Sequence, residues 1–505
     1  MGTKMFNIGN GQDRRFIEKL SNQWKLTPAT FGHKITRGSW IPKKHLMYIS
    51  AKVASGIHKG GARIIISAPP RHGKSELTSI HTPSWVLEEF PEYKIILAGY
   101  GADLATGFSR RVRDVFTDEQ NYDLLNTRIR RDSSRVEAFL TESGGGMYAV
   151  GLGGPITGRG ANVLLIDDYI KEIKEALSPA YRDYIWNWFV TTAFTRLEPN
   201  GSCIIIATRW HSDDLIGRIL KELSHENWLY IELPAIAEEN DIIGREPGSP
   251  LFEERYPLDR LLELRKTLGS IFFNALFQQK PVDETKRIAS STWLKYIELI
   301  PIEERLHLKR MRCWDLAATE DGGDYTVGTL MSYNPLNGNF YIENVIRRQL
   351  SPGQVESLVK NIALVDGLDV AIGIEQEPGS AGKHLVEHYK KNVLQDYRVV
   401  GIPTNKNKLV RAQPFLAAAE AGSVYLLSGG WNKTFNDEFD SFPGGDNDDQ
   451  IDTASAGYTH LTGKKTYSSS WGRKKTKSVN RTQYRQANAR FASSSRRGRA
   501  TFGRS

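Results

Sequence analysis

Short, fully apolar runs alternate with helical stretches through most of the 505-residue chain. Residues 1–60 read as mostly helical with loops. From Ala62 the pattern changes to β-rich runs at Arg63–Ser67 (RIIIS), Lys94–Ala98 (KIILA), Val163–Ile166 (VLLI) and Ser202–Ala207 (SCIIIA). Strands that are apolar at every position, with helices between them, predict a mainly parallel sheet covered on both faces. Ser178-Pro179 predicts a helix start, with serine as the cap and proline in the first turn. Residues 236–295 are rich in Pro, Gly and Glu and contain one helical patch, Leu258 to Leu268, so they read as a junction.

A second strand-rich block follows. MRCWDLA leads to YTVGTLMSY, and an Asn337-Gly338 turn leads into FYIENVI. Asn-Gly between two such runs is a hairpin signal. DVAIGIEQ, RVVGIP and SVYLL come next, with helical stretches between them. Three strands followed by alternating helix and strand is the order of the ribonuclease H fold. The expected architecture is therefore α/β twice over: a mainly parallel domain at 61–235, preceded by a helical segment at 1–60, and a second domain at 296–462 that resembles the ribonuclease H fold.

Composition changes this picture at one end only. Net charge is +9, from 67 Lys+Arg and 58 Asp+Glu. Thirteen of the bases and none of the acids lie in 463–505, which leaves the rest of the chain at −4. That tail is rich in Ser, Gly, Arg and Asn, and it reads as disordered because it has too little apolar surface to offset chain entropy. It would be a solubilising extension or an arm for a polyanion, nucleic acid above all. No apolar run approaches the ~18 residues of a membrane helix, and Met1 to Lys19 lacks the apolar stretch of a secretory signal. Cys203 and Cys313 are the two cysteines, each inside a strand-like run. This excludes a disulfide framework, makes zinc a poor candidate and fits a reducing cytoplasm.

Candidate chemistry begins with Ala68-Pro-Pro-Arg-His-Gly-Lys-Ser75, directly after the first strand. It matches a phosphate-binding loop except that Ala68 stands for the first glycine. In such a loop the backbone around Gly73 cradles phosphates, Lys74 reaches the β/γ-phosphates, and the Ser75 hydroxyl holds Mg²⁺. The helix starting there adds its positive dipole end. A chance Gly-Lys-Ser in a surface loop is the bland alternative, and placement after an apolar strand argues against it. VLLIDD supplies the expected partner. Asp167 would hold Mg²⁺ through water, and Asp168 stands where a longer glutamate commonly orients the attacking water. Glu172 or Glu175 would serve instead if Asp168 is too short. Arg71 would contact the γ-phosphate in cis. Arg159, just before the VLLIDD strand, is a candidate finger into a neighbouring subunit's nucleotide, with a surface ion pair as the equal alternative. Thr208 ends the strand SCIIIA where a γ-phosphate sensor would sit.

Asp315 ends MRCWDLA and Glu375 ends VAIGIEQ. Asp448, Asp449 and Asp452 open the last helical stretch, in which 452 shares a face with both 448 and 449. Carboxylates from separate elements converging on two divalent ions, Mg²⁺ or Mn²⁺, are what phosphodiester cleavage needs. Asp324 is a candidate auxiliary ligand. Each acid alone is more often a cap or a solvated turn; their order along the chain argues otherwise.

PPRHGKSE, LLIDD, ATRWHSDDL, LFEERYP, QQKP, WDLAATEDGGDYTVG, EQEPGSAGK and GDNDDQIDTAS, in that order, resemble the large terminase subunit of tailed phages over about residues 40–460. The resemblance implies an additional-strand P-loop packaging ATPase joined to a ribonuclease H-like nuclease. Lys74, Ser75, Asp167 and Thr208 would be ATPase residues. Asp315, Glu375 and Asp449, with Asp452 next, would be nuclease residues. It further implies double-stranded DNA as substrate, a small terminase subunit and a portal on the procapsid as partners, a homo-oligomeric ring (a pentamer when docked), and work in the host cytoplasm. The rival readings are a recombination or repair ATPase-nuclease and a transposase-like enzyme. A transposase needs no phosphate loop, and the second block does not read as a second helicase lobe.

Overall fold

The computed structural model describes residues 23–281, 288–317, 325–404, 407–445 and 447–463. Asp324 and the basic tail beyond Gly463 lie outside the described residues. The helices Pro28–Ile35 and Lys44–Lys59 lead into the first sheet. Its strands are β1 (Arg63–Ser67), β2 (Lys94–Gly99), β3 (Ile129–Ser134), β4 (Ala138–Thr141), β5 (Gly146–Gly151), β6 (Ala161–Asp167), β7 (Leu197–Ala207) and β8 (Leu229–Glu232), in the order β3-β4-β5-β2-β6-β7-β1-β8. From β5 to β8 all pairings are parallel, and β3–β4–β5 form an antiparallel edge. The four runs read from the sequence are β1, β2, β6 and β7. Because β7 lies between β6 and β1, the Asp167 strand and the phosphate-loop strand are separated by one additional strand.

Alternation explains why these runs are apolar throughout. Ile64 and Ile66 of β1, Leu165 of β6 and Ile204 and Ile206 of β7 face one core. Ile65, Leu164, Ile166 and Ile205 face the other. Each such side chain is worth roughly 1.5–3 kcal/mol of burial, so a polar residue at any of them would break one of the two layers. The pattern missed β3, β4, β5 and β8; the sequence of β3, IRRDSS, is polar because the strand is a largely exposed edge. It also shortened β7, because the apolar run starts only after Pro199-Asn200-Gly201. In the structure that stretch is a register shift against β6, with Asn200 at φ 63°.

The second sheet contains β9 (Lys295–Ile297), β10 (Lys309–Asp315), β11 (Thr326–Tyr333), β12 (Phe340–Arg348), β13 (Ala371–Gln376), β14 (Val399–Pro403) and β15 (Val424–Leu427). Their order is β14-β13-β10-β11-β12-β15-β9, with β10–β11–β12 antiparallel and the remaining pairings parallel. All six runs read from the sequence are present, and only the short edge strand β9 was not foreseen. The helix Asp449–Thr462 crosses one face, and Pro352–Asp366 covers the other, with Val355 and Val359 against Trp314.

The junction contains more helix than the sequence suggests. Leu258–Leu276 continues past a kink at Gly269, whose φ is 74°. The apolar pattern stops at 268 because the glycine leaves the helical region. The kink is held from outside: Ser270 N–H donates to Glu420 Oε2 at 2.8 Å, Gln413 Nε2 donates to Leu268 O at 2.8 Å, and a Cβ on Gly269 would come within 3.2 Å of Ala417. Both sheets belong to one compact unit ending at Gly463.

Candidate active sites

The loop after β1 turns into its helix through two left-handed residues, Arg71 (φ 65°) and Gly73 (φ 86°). Gly73 is required by that conformation, and a Cβ there would also come within 3.1 Å of Leu46. Ala68 is not among the positive-φ residues and is buried, with its N–H donating to Ala207 O at 3.2 Å. A glycine is therefore not needed at 68, and this departure from the loop pattern leaves the turn intact.

Lys74 is the meeting point of three strand ends. Its ammonium donates to Thr208 Oγ1, lies 3.1 Å from Asp168 Oδ1, and donates to Ala68 O at 3.4 Å. Thr208 N–H also donates to Asp168 Oδ1, at 3.2 Å. Asp167 is buried at the end of β6, where Ser75 Oγ and Ser79 Oγ donate to its two oxygens at 3.1 and 2.5 Å. Burial, then the Asp168 charge, pushes its carboxyl above the usual range. An anionic oxygen pair held by hydroxyls beside a lysine fits a hydrated Mg²⁺ and a phosphate. Asp168 takes φ 45°, a strained value for a non-glycine residue. It is pinned there by Asp168 N–H donating to Ile206 O and Tyr100 N–H donating to Asp168 O, both at 2.9 Å.

Several residues that brace this site carried no assigned role in the sequence. His45 Nε2 donates to His72 O at 2.8 Å, His72 Nδ1 donates to Pro70 O at 2.9 Å, and the His72 ring stacks on Tyr256 at 4.9 Å. Burial pushes His45 down to about 4 and His72 to about 3, so both are neutral props. Tyr256 lies in LFEERYP, and Gln279, which caps Arg209, lies in QQKP. Those motifs were legible, but which residue each would touch was not. Arg159 is exposed, with its guanidinium 3.9 Å from the Tyr148 ring centroid, at the beginning of β6. Six strand residues, Ala161 to Ile166, at ~3.3 Å each lie between it and Asp167, so it stands about a strand length from its own chain's site. Glu175 Oε2 accepts from Lys171 N–H at 2.7 Å.

In the second sheet, parallel register pairs Trp314 with Ile374, so the next residues, Asp315 and Glu375, end neighbouring strands side by side. Both point to the face covered by the helix Asp449–Thr462. Two residues earlier, Cys313 lies within 3.7 Å of a Cβ built on Gly457, and a Cβ on Gly373 would strike Met311 and approach Cys313 to 3.1 Å. That helix is fixed by the Thr453–Thr329 hydroxyl contact at 2.7 Å, which brings Asp449 and Asp452 over the strand ends. Burial, then the charges of Glu375 and Asp449, raises the Asp315 carboxyl, which also hydrogen-bonds Glu375. Burial pushes Asp452 up to about 7, against the pull of Arg411.

Two cations missed in the sequence enter this cluster from the helix Lys408–Glu420. Arg411 Nη1 donates to Glu375 Oε1 at 3.1 Å and Nη2 to Asp452 Oδ2 at 2.6 Å. Lys408 holds Asp448 at 2.6 and 2.7 Å. Asp452 Oδ1 is buried with no hydrogen-bond partner in this arrangement. A buried carboxylate oxygen left over among convergent acids fits a hard divalent cation. Among the described residues, however, no three acids form a ready-made ligand set.

Family models match both halves of the chain. "Terminase large subunit, T4likevirus-type, N-terminal" matches residues 65–288, and "Terminase RNaseH-like domain" matches residues 312–461. The chain belongs to the terminase large subunits. As a terminase large subunit it combines an ATPase block with a ribonuclease H-like nuclease block. Similar solved structures include the large terminase of a thermophilic bacteriophage in complex with ADP, 14% identical, covering 83% of this chain and 99% of that one at TM-score 0.44. The large terminase of bacteriophage HK97 is 14% identical, covering 81% and 94% at TM-score 0.34. The nuclease domain of the bacteriophage SPP1 large terminase with bound Mn is 13% identical, covering 34% and 99% at TM-score 0.25. No curated protein sequence matches the chain. Among the described residues, no helix of this terminase subunit is long and apolar enough to cross a membrane.

Proposed function

We propose that this terminase large subunit hydrolyses ATP at the Lys74 loop to drive double-stranded DNA into a procapsid, and cuts concatemeric DNA at the Asp315–Glu375 cluster with two divalent ions, Mg²⁺ or Mn²⁺. The observation that carries the reading is the knot formed by Lys74, Asp168 and Thr208. One lysine ties the phosphate loop to the ends of both β6 and β7, so a phosphate that draws Lys74 away releases Thr208 and Asp168 together. Ser75 and Asp167 would hold Mg²⁺, which neutralises phosphate charge when bound. Arg71 and the backbone around Gly73 would line the phosphates. Asp168 is favoured as the base over Glu172 and Glu175, because it stands against Lys74 and Thr208 while Glu175 is tied to Lys171.

Arg159 would act in trans. It lies a strand length from its own site, it is exposed, and a ring of copies docked on the portal, taken as a pentamer, would bring it to a neighbour's nucleotide. In the nuclease, Asp315, Glu375, Asp449 and Asp452 would hold the ions, which activate water and steady the leaving oxygen when bound. A small terminase subunit would deliver DNA, and the work would take place in the host cytoplasm. Packaging of DNA into purified empty capsids tests the whole reading. ATP-dependent protection of DNA from nuclease is expected with the native chain and none with Lys74→Ala. Equal protection with Lys74→Ala would overturn it.

A further inference from the structure

The nuclease acids already have a cation among them, and it belongs to the chain. Arg411 gives one N–H to Glu375 and one to Asp452 rather than both to a single carboxylate, while its Nε is buried with no partner. Guanidinium–carboxylate pairs favour the two-bond fork on one acid. Here the fork is split across two acids from different elements, the end of β13 and the helix Asp449–Thr462. Arg411 and Lys408 also occupy the first turn of their own helix, where the positive end of the helix dipole disfavours cations. The acids opposite them outweigh that, and the side chain is held in place at a cost its own helix does not offset.

We infer that Arg411 is a resident counter-cation that a divalent ion must displace from between Glu375 and Asp452, so that the arginine keeps the nuclease closed to metal until it swings out. The inference rests on reading this cluster as the metal-binding nuclease site. Its physical basis is occupancy. Glu375 Oε1 and Asp452 Oδ2 are 3.1 and 2.6 Å from guanidinium nitrogens, and a metal ion bound to the same oxygens would sit about 2.0–2.6 Å from them. The two cations cannot share those two oxygens, and the leftover Asp452 Oδ1 by itself gives one ligand to an ion that takes about six or more; like charges at such separations also repel. Arg411 has a route out: its side chain is 19% exposed. The helix bearing it is anchored to the kink at Gly269 in its middle through Gln413 and at its far end through Glu420, so the swing is one of side chain rather than helix.

A merely orienting arginine would make the opposite prediction, because losing it would loosen the acids and weaken metal binding. The test is calorimetric titration of Mn²⁺ into the full chain at alkaline pH, where protons compete least, for wild type, Arg411→Gln and Arg411→Lys. The expected result is Mn²⁺ binding about tenfold or more tighter in Arg411→Gln, with Arg411→Lys between. In EDTA, Arg411→Gln should melt below wild type, and saturating Mn²⁺ should bring the two together. Equal or weaker Mn²⁺ binding by a variant that melts cooperatively overturns the inference. If wild type itself takes up no Mn²⁺, it is the nuclease reading that fails. Should Arg411→Gln not fold, the ordering of Arg411→Lys against wild type decides, since a lysine keeps the charge but lacks the planar fork that places one N–H on each acid.

Discussion

The side-chain oxygen of Gln279 accepts a hydrogen bond from the backbone N–H of Arg209 at 3.2 Å, one residue beyond Thr208. Gln279 is buried, takes φ 61°, and donates from Nε2 to Leu276 O at 2.6 Å. The far end of the helix Leu258–Leu276 is thus tied to the segment that holds Lys74. The kink in the same helix is tied to the helix that carries Arg411. Gln279→Ala should leave a buried N–H without a partner and cost ~1–3 kcal/mol. Steady-state ATP turnover should fall several-fold while plasmid nicking persists. Wild-type turnover would show that the junction is a passive spacer.

Arg159 sits at the wrong end of β6 for its own nucleotide, so its role should appear only between subunits. Arg159→Ala alone and Lys74→Ala alone should each be inactive as ATPases. Mixtures should regain activity, because some interfaces then combine an intact loop with an intact finger. A mixture inactive at every ratio, or Arg159→Ala active by itself, would remove the trans role.

On the proposed reading, the carboxylates should separate the two activities. Asp315→Asn, Glu375→Gln, Asp449→Asn and Asp452→Asn should each lower DNA cleavage by about 100-fold or more and leave ATP turnover near wild type. The sequence ranked Asp449 above Asp452, while the structure puts Asp452 in the deeper position with the Arg411 ion pair. If Asp449→Asn still cuts while Asp452→Asn does not, the third acid is Asp452.

Buried neutral histidines make the ATPase block acid-sensitive. Burial pushes His45 and His81 down to about 4 and His72 to about 3. In the unfolded chain these rings take up protons near ~6.5. Between that value and about 4 the unfolded chain holds more protons, so stability present above pH ~6.5 is lost as pH falls. The melting temperature should drop steeply from neutral pH to about pH 4.5. His81→Phe should flatten the drop, since both His81 ring nitrogens are buried without a hydrogen bond. An unchanged slope would exonerate His81.

The sequence by itself determined the two sheets and the residues at their strand ends. A strand buried on both faces must be apolar at every position, so β1, β2, β6 and β7 announce themselves; Asp167 and Thr208 stand where β6 and β7 stop, Lys74 in the loop that follows β1, and Asp315 and Glu375 at the ends of β10 and β13 in the second sheet. Local chemistry also marked the Ser178 cap and the Asn337-Gly338 turn. What only the tertiary structure decided is which distant side chains answer these residues. Nothing periodic marks Arg411 or Lys408 as partners of acids some forty positions on, Gln279 as the cap of Arg209, or Ser270 as the donor to Glu420. Those pairings depend on how helices dock on sheets, and docking is set by the summed shape of many side chains rather than by any one stretch of chain. Edge strands such as β3 stayed hidden for the converse reason: a strand with one exposed face is held by backbone hydrogen bonds, which any residue but proline can make.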